Sequence, residues 1–189
     1  MLSDQLVVFS CGTYEEVIRV APVFKNLQNR AAVYPKLVFQ GSVEDVDQHE
    51  RCCQDFGLPA VDAFLNMQMS FPRYQIVKTC EAFENYLLAQ DQGVSGVVVC
   101  GESDGAMACA LAAAKLGIRV ASVDCDFRRN TEPQAYEEMN GVVMNQIVDR
   151  LLISELHNLD RLLKEEIPFD RIRYTGNALI DDLKTHSCR

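Results

Sequence analysis

The sequence lacks tryptophan, long apolar runs and an excess of basic residues, and two of these absences exclude a class of protein. No apolar run approaches the roughly 18 residues that a transmembrane helix needs, so we expect no membrane span. The formal net charge of −9 disfavours binding to nucleic acid, whose phosphates need a basic partner surface. An anionic ligand would therefore need a local positive site to overcome the overall field.

Metal and cofactor signatures are also missing. The eight cysteines contain no C-x-x-C pair and the three histidines are not grouped with them, so we expect no zinc or other metal. No G-x-G-x-x-G or Walker pattern follows a predicted strand, so we expect no nucleotide cofactor. The N-terminus has no basic segment before its apolar run, which predicts a cytoplasmic chain with free thiols. Cys52 and Cys53 could form a reactive pair, but buried apolar positions are favoured, and we expect His49, His157 and His186 at the surface.

Short apolar runs alternate with stretches of helical periodicity, which is typical of parallel strands joined by helices. The predicted strands are 6–10, 37–40, 96–100, 120–123, 151–154 and 172–175, with a further candidate at 60–66. The predicted helices are 14–29, 44–56, 73–91, 103–116, 135–149, 155–166 and 178–185. We therefore predict an α/β fold: a doubly wound, Rossmann-like parallel sheet of about seven strands with the 97–100 run at its centre.

The length of 189 residues predicts a single domain over 1–189. Ser103 is placed to cap a helix built almost entirely of small residues, and Gly117 to end it. The polar loop 126–135 begins just after a predicted strand, at the edge where open parallel sheets bind their ligands. This edge is where we expect a functional site.

Several segments, in order and at the right spacing, match the pattern of a known family. They are CGTYEEVIRVAP at 11–22, VCGES at 99–103, SVD at 122–124, YEEMNG at 136–141, DRI at 170–172 and TGNALID at 175–181. Together they resemble the N-terminal domain of UDP-N-acetylglucosamine 2-epimerases, which have a two-lobed architecture like that of GT-B glycosyltransferases. The resemblance implies that the chain is one lobe of such a fold and lacks the C-terminal, nucleotide-binding lobe.

The resemblance also implies a site. Epimerases of this family eliminate UDP from the sugar and add it back with the neighbouring carbon inverted, which needs carboxyl groups as acid and base. The matching catalytic positions are Glu102, Asp124, Glu137, Glu138 and Arg19, and the matching substrate-binding positions are Gly12, Thr13, Arg128 and Asn177. Each acidic residue could instead be an ordinary helix-start or loop acid, and Arg128 an ordinary surface residue. Gly12 and Thr13 could simply shape the turn.

Departures from the family pattern concentrate on charge. Glu102 stands where the family has Asp and Asp124 where it has Glu, so both carboxyl groups have altered reach. Cationic or histidine positions of the family are occupied by Tyr14, Cys100, Ser122 and Gly141, and the segment QGSV at 40–43 lacks a further histidine. These losses predict weak binding of a diphosphate.

Two functions remain open at this point, and a third is disfavoured. The chain could be a non-catalytic lobe, a pseudoenzyme acting as a binding or assembly module with at most weak affinity for a UDP-sugar. Alternatively it could be the N-terminal half of a working epimerase, completed by a missing or separate C-terminal half. The absence of a glycine-rich phosphate pattern disfavours a small nucleotide or flavin carrier. The resemblance also implies a homodimer or larger assembly, with helix 73–91 and its residues Phe83, Tyr86 and Leu87 as a candidate contact.

Overall fold

Seven strands alternate with six helices in the part of the chain that the computed structural model describes, residues 5–41, 46–65, 72–124, 135–177 and 180. The strands are β1 Gln5–Cys11, β2 Val33–Phe39, β3 Ala63–Phe64, β4 Gly96–Cys100, β5 Val120–Val123, β6 Arg150–Ile153 and β7 Ile172–Tyr174. The helices are α1 Tyr14–Gln28, α2 Val46–Asp55, α3 Pro72–Leu88, α4 Asp104–Lys115, α5 Ala135–Ile147 and α6 His157–Lys164. The predicted helix 178–185 lies, except for residue 180, outside the described residues.

All seven strands are parallel, in the order β3-β2-β1-β4-β5-β6-β7. This arrangement confirms the predicted doubly wound sheet, with β4 at its centre. The chain leaves β1 in one direction through β2 and β3, returns through α3 to β4, and then continues in the other direction. The reversal places a crevice between the carboxyl ends of β1 and β4, where folds of this kind bind ligands.

Successive residues of each strand face opposite sides of the sheet and build two separate cores. On one side, Val97 and Val99 pack with residues of α3, α4, α5 and α6. On the other side, Val98 and Cys100 pack with α1 and α2, including the buried Phe24. Helices on both faces explain why the strands read as continuous apolar runs rather than as alternating ones.

Helix α4 has the capping and packing that its sequence predicts. The Ser103 side chain caps its first turn, and Gly117 has a φ of 72° just after its end. The alanines of α4 are almost all buried, because α3 and α5 pack on either side of it. Small side chains thus allow the central helix to lie close to the sheet and to both neighbours.

Side chains of helix α3 that we expected at an interface point into the core. Phe83 and Leu87 are buried in the core, and the ring of Tyr86 stacks with that of Phe83 at 6.3 Å between centroids. The predicted contact residues are therefore wrong for Phe83 and Leu87. The apolar residues that α3 exposes are instead Tyr74 and Val77, together with Leu88 at its end.

The predicted exposure is wrong for one described histidine, and the predicted burial of two cysteines is confirmed. His49 is only 4% exposed and lies against the Phe39 ring, with centroids 3.6 Å apart, so its predicted surface position is wrong. His157 is exposed as predicted, whereas His186 lies outside the described residues. Cys52 and Cys53 are buried free thiols, and burial raises the pKa of Cys52 to about 12, which makes a reactive thiolate pair unfavourable.

The described part of the chain contains neither a candidate metal site nor a candidate membrane span. No group of three or more His, Cys, Asp or Glu side chains there is arranged to hold a metal ion. None of the described helices combines the length and the apolar character needed to cross a bilayer.

Candidate functional site

The parallel sheet brings several of the predicted site residues to one edge. Gly12 and Thr13 follow β1, Glu102 follows β4, Asp124 follows β5 and Asn177 lies just beyond β7. Because parallel strands all end at the same edge of a sheet, these turns lie side by side in the order β1, β4, β5, β6 and β7. The crevice between β1 and β4 is the centre of this candidate site.

The turn after β1 is closed by a reciprocal capping arrangement. Thr13 is the N-cap of α1, and its hydroxyl accepts a hydrogen bond from the Glu16 backbone N–H at 3.2 Å. In return, the carboxyl group of Glu16 accepts a hydrogen bond from the Gly12 N–H at 2.6 Å. The T-x-x-E spacing is that of a capping box, which satisfies backbone donors that a helix start leaves open.

The turn after β4 meets the same carboxyl group. Gly101 has a φ of 77°, which lets the chain turn sharply from β4 into Ser103, the N-cap of α4. The Ser103 hydroxyl accepts a hydrogen bond from the Ala106 N–H at 3.1 Å and donates one to Glu16 Oε1 at 2.9 Å. A single side chain therefore bonds to the starts of two helices that are far apart in the sequence.

Glu16 is a buried acid that the sequence reasoning missed. Its side chain is 5% exposed, and burial raises the pKa of this carboxyl group from an ordinary 4.5 to about 7. The hydrogen bonds from Gly12 and Ser103 and the nearby amide of Gln40 favour the ionised form and so limit the rise in pKa. The sequence signal that could have found Glu16 is its position three residues after Thr13.

Glu102 is held against the first turns of α5. Asn140, which is fully buried, donates hydrogen bonds from its side-chain amide to the Glu102 backbone carbonyl at 3.1 Å and to Asp104 Oδ1 at 2.8 Å. The Glu102 carboxyl group lies over Gly141, where an added Cβ would come within 2.5 Å of Glu102 Oε1. The missing side chain at position 141 thus leaves the space that the longer Glu102 side chain occupies.

Asp124 links the ends of β5 and β6. Its backbone has a φ of 49°, a left-handed conformation that Asp tolerates better than most residues. Its Oδ1 accepts a hydrogen bond from the Ser154 N–H at 3.1 Å. At least one oxygen of this candidate base is therefore used to hold two strand ends together.

The remaining predicted residues are only partly placed at this edge. Arg19 is half-buried and lies more than one turn into α1, and Glu138 is half-buried in the first turns of α5. Arg128 and the side chain of Glu137 lie outside the described residues. Among the residues of the described chain that immediately follow a strand, none is Lys or Arg.

A depression of about 460 Å³ lies at the opposite ends of the strands. Its lining includes Gly96, Ala121 and the side chains of Arg119 and Arg150, all near the amino-terminal ends of β4, β5 and β6. Open parallel sheets bind ligands at the carboxyl ends of their strands, so we place the candidate site at that edge and not in this depression.

Comparison with protein families gives one match that spans most of the chain. The model of the family described as UDP-N-acetylglucosamine 2-epimerase matches residues 25–189. A UDP-N-acetylglucosamine 2-epimerase of Methanococcus maripaludis is 25% identical over 170 residues, which cover 90% of this chain and 45% of that protein. The chain thus spans about half the length of the curated relatives it matches.

Solved structures agree with this match. The UDP-GlcNAc 2-epimerase of Methanocaldococcus jannaschii, in complex with UDP-GlcNAc and UDP, has a TM-score of 0.82 and 26% identity, covering 98% of this chain and 51% of that one. The fold also matches the UDP-GlcNAc 2-epimerase of Neisseria meningitidis with a TM-score of 0.84, at 23% identity and with 96% of this chain and 49% of that one covered.

Proposed function

The chain belongs to the UDP-N-acetylglucosamine 2-epimerase family, and on that premise we propose that it acts as a single epimerase-like lobe, a binding or assembly module that does not epimerise a nucleotide sugar alone. Residues 1–189 form the lobe in this proposal. Any UDP-sugar binds weakly, at the carboxyl edge of the sheet. The supporting arguments come from the charge of that edge and from the engagement of its carboxyl groups.

The observation that carries this proposal is the lack of a cation where the described strands end. The departing diphosphate of a UDP-sugar must be neutralised by preorganised donors or positive charges for its elimination to be fast. The described strand ends offer acids instead, Glu102 after β4 and Asp124 after β5, in a chain of net charge −9. Both carboxyl groups also have intramolecular neighbours, Gly141 for Glu102 and the Ser154 N–H for Asp124.

One observation favours the alternative function, the N-terminal half of a working epimerase. Glu102 and Asp124 end two adjacent strands, so two carboxyl groups lie at neighbouring turns as an acid and a base would. In this alternative, a second half contributed by another part of a longer chain or by a separate chain supplies the missing cations. Turnover would then depend on Glu102.

We expect no turnover when the 189-residue chain is incubated with UDP-N-acetylglucosamine. Proton NMR should detect neither the epimer with inverted C2 nor free UDP. A calorimetric titration with UDP should give a Kd no tighter than about 1 mM, because charge-assisted hydrogen bonds to the diphosphate are few. The UDP-GlcNAc 2-epimerase of Methanocaldococcus jannaschii, assayed under the same conditions, provides the positive control.

The Glu102→Gln variant tests whether any turnover seen with the 189-residue chain comes from its own candidate site. If the natural chain shows turnover and the variant shows none, the pseudoenzyme proposal is overturned and the working half-enzyme is supported. Turnover that the variant leaves unchanged would point to a contaminating epimerase, and the measurement would be repeated on a freshly purified chain until the activity either disappears or becomes sensitive to Glu102.

We also propose that the lobe associates with a second copy of itself through the exposed apolar residues of α3 and α5. This α3–α5 face consists of Tyr74, Val77, Met139, Val142 and Val143, and Val77 is 62% exposed. The two helices flank α4 on the same side of the sheet. Exposed apolar side chains on two helices of one layer are candidates for an interaction surface.

Light scattering at tens of micromolar should therefore show a dimer that polar substitutions on the α3–α5 face dissociate. We expect the double variant Val77→Ser, Met139→Ser to weaken association at least tenfold, since buried apolar side chains at an interface centre contribute about 1–2 kcal/mol each. Leu156→Ser, at an exposed apolar position near the start of α6, is the matched control. A monomeric natural chain at these concentrations would contradict the proposal.

A further inference from the structure

We propose that Glu16 is a positioning residue of the candidate site, whose buried carboxyl group joins the turn after β1 to the turn after β4 and thereby holds the backbone of Glu102. This inference concerns how the site is built. It stands whether or not the chain catalyses a reaction, and it assigns a role to a residue outside the predicted site.

The carboxyl group of Glu16 uses its two oxygens on two different turns. Oε2 accepts the Gly12 N–H at 2.6 Å, within the capping arrangement of α1. Oε1 accepts the Ser103 hydroxyl at 2.9 Å, across 87 residues of sequence. The capping-box spacing accounts only for contact with the turn after β1, so the bond to Ser103 is an additional link between two strand ends.

Packing leaves little freedom at this link. Gly101 backs directly on the Glu16 carboxyl group, because a Cβ at position 101 would lie 3.1 Å from Glu16 Oε1. The φ of 77° at Gly101 would strain any other residue as well. On the β1 side, a Cβ at Gly12 would come within 2.9 Å of the Gln40 side chain, so that turn is confined too.

Glu102 lies between the two residues that meet Glu16. Gly101 packs on the carboxyl group and Ser103 bonds to it, so the Glu102 backbone is held from both sides along the chain. From α5, Asn140 holds the Glu102 carbonyl. Removing the Glu16 carboxyl group would remove the bond to Ser103 and the contact with Gly101, so we expect the turn to open more often.

Several hydrogen-bond donors act on the Glu16 carboxyl group. The described groups that lower its pKa are Gly12, Thr13, Ser103 and Gln40. The titratable groups that interact with it electrostatically from β1 and α4 are the thiols of Cys11 and Cys109, which their burial keeps neutral by raising their pKa well above the usual range. These two thiols therefore do not titrate near neutral pH, where the Glu16 carboxyl group does.

Hydrogen exchange of backbone amides in three variants of Thr13 and Glu16 tests the link. Thr13→Ala removes the N-cap of α1 but leaves the Glu16 carboxyl group in place, so exchange should accelerate only at the start of α1. Glu16→Ala removes both bonds, so exchange should also accelerate about tenfold or more at residues 101–106, where a charged hydrogen bond is lost. Glu16→Gln, which retains one acceptor oxygen, should give an intermediate effect.

A pH profile adds a readout that a purely structural cap would not change. In the natural chain, the amide signals of Gly12, Gly101 and Ser103 should shift with one common midpoint between pH 6 and 8. These shifts should vanish in Glu16→Gln and persist in Thr13→Ala. A common midpoint at both turns is expected from one shared carboxyl group.

Two results would overturn the proposal. The first is acceleration in Glu16→Ala confined to α1, as in Thr13→Ala, since Glu16 would then be only a cap of its own helix. The second covers the case in which Glu16→Ala does not fold: different midpoints, or no shift at Gly101 and Ser103 in the natural chain, would show that the two turns do not share the carboxyl group.

Discussion

Replacing Phe83 by alanine should lower the free energy of unfolding by about 3–5 kcal/mol, one of the largest losses expected for a single substitution in this chain. Phe83 is fully buried on α3, in the core that α3 and α4 share with the sheet. Its removal would leave a cavity that the small residues of α4 cannot fill, because alanine side chains have no freedom to move into the space. Chemical denaturation monitored by circular dichroism measures the loss.

An exposed position on the same helix provides the control. Leu88→Ala, five residues later at the end of α3, should change the stability by less than about 0.5 kcal/mol, because Leu88 is exposed and lies outside the α3–α5 face. A small effect of Phe83→Ala would contradict the described orientation of α3. It would also revive the original expectation that Phe83 faces a partner.

The fold could be predicted because its strongest signals are local and repeated. Runs such as Gly96–Cys100 are too apolar for a strand with one wet face, and helical stretches separate them, so parallel pairing follows. Boundaries were less certain. The strand β2 begins at Val33 rather than at the predicted residue 37, and it includes Pro35. Pro35 is tolerated where β2 pairs with β1 alone, since β3 pairs only with Val38 and Phe39.

Which side chains of a helix face the core was harder to predict than the presence of the helix. Phe83, Tyr86 and Leu87 on α3 form a convincing apolar stripe, but a stripe indicates burial and does not say whether a core or a partner buries it. His49 shows the reverse error: a polar type suggested the surface, whereas the neighbouring Phe39 ring covers it. Both outcomes depend on tertiary packing that no local pattern contains.

The candidate site, too, could be predicted only in part. The turns that carry Gly12, Glu102 and Asp124 could be placed at one edge because parallel pairing follows from the alternation of strands and helices. The link between them could not, because the bond from Ser103 to Glu16 spans the chain and depends on how closely β1 and β4 approach. The capping-box spacing predicts only a contact between Glu16 and the turn after β1. Long-range bonds of this kind become visible only when the strands are assembled.

Raising the pH from 4.5 to above 7 should cost the protein about 3 kcal/mol of stability through Glu16 alone. Folding raises the pKa of this carboxyl group from 4.5 to about 7, mainly by burial, so the folded state binds a proton that the unfolded state has released. The stabilising contribution is fully present below pH 4.5, declines as the pH rises through the interval, and is lost above about 7. The sign is opposite to that of an acid in a salt bridge, whose stabilisation is lost as the pH falls.

Urea denaturation of the natural chain and of Glu16→Gln, across pH 4.5–8, isolates this contribution, because the amide cannot ionise. The stability of the natural chain relative to Glu16→Gln should fall by about 3 kcal/mol over the range, and the difference cancels the effects of all other acids. Glu15→Gln, which makes the same charge change at the exposed neighbouring position, is the control. Parallel curves for the natural chain and Glu16→Gln would mean that the carboxyl group ionises in the fold as easily as in water, with hydrogen bonds from Gly12 and Ser103 strong enough to cancel the cost of burial.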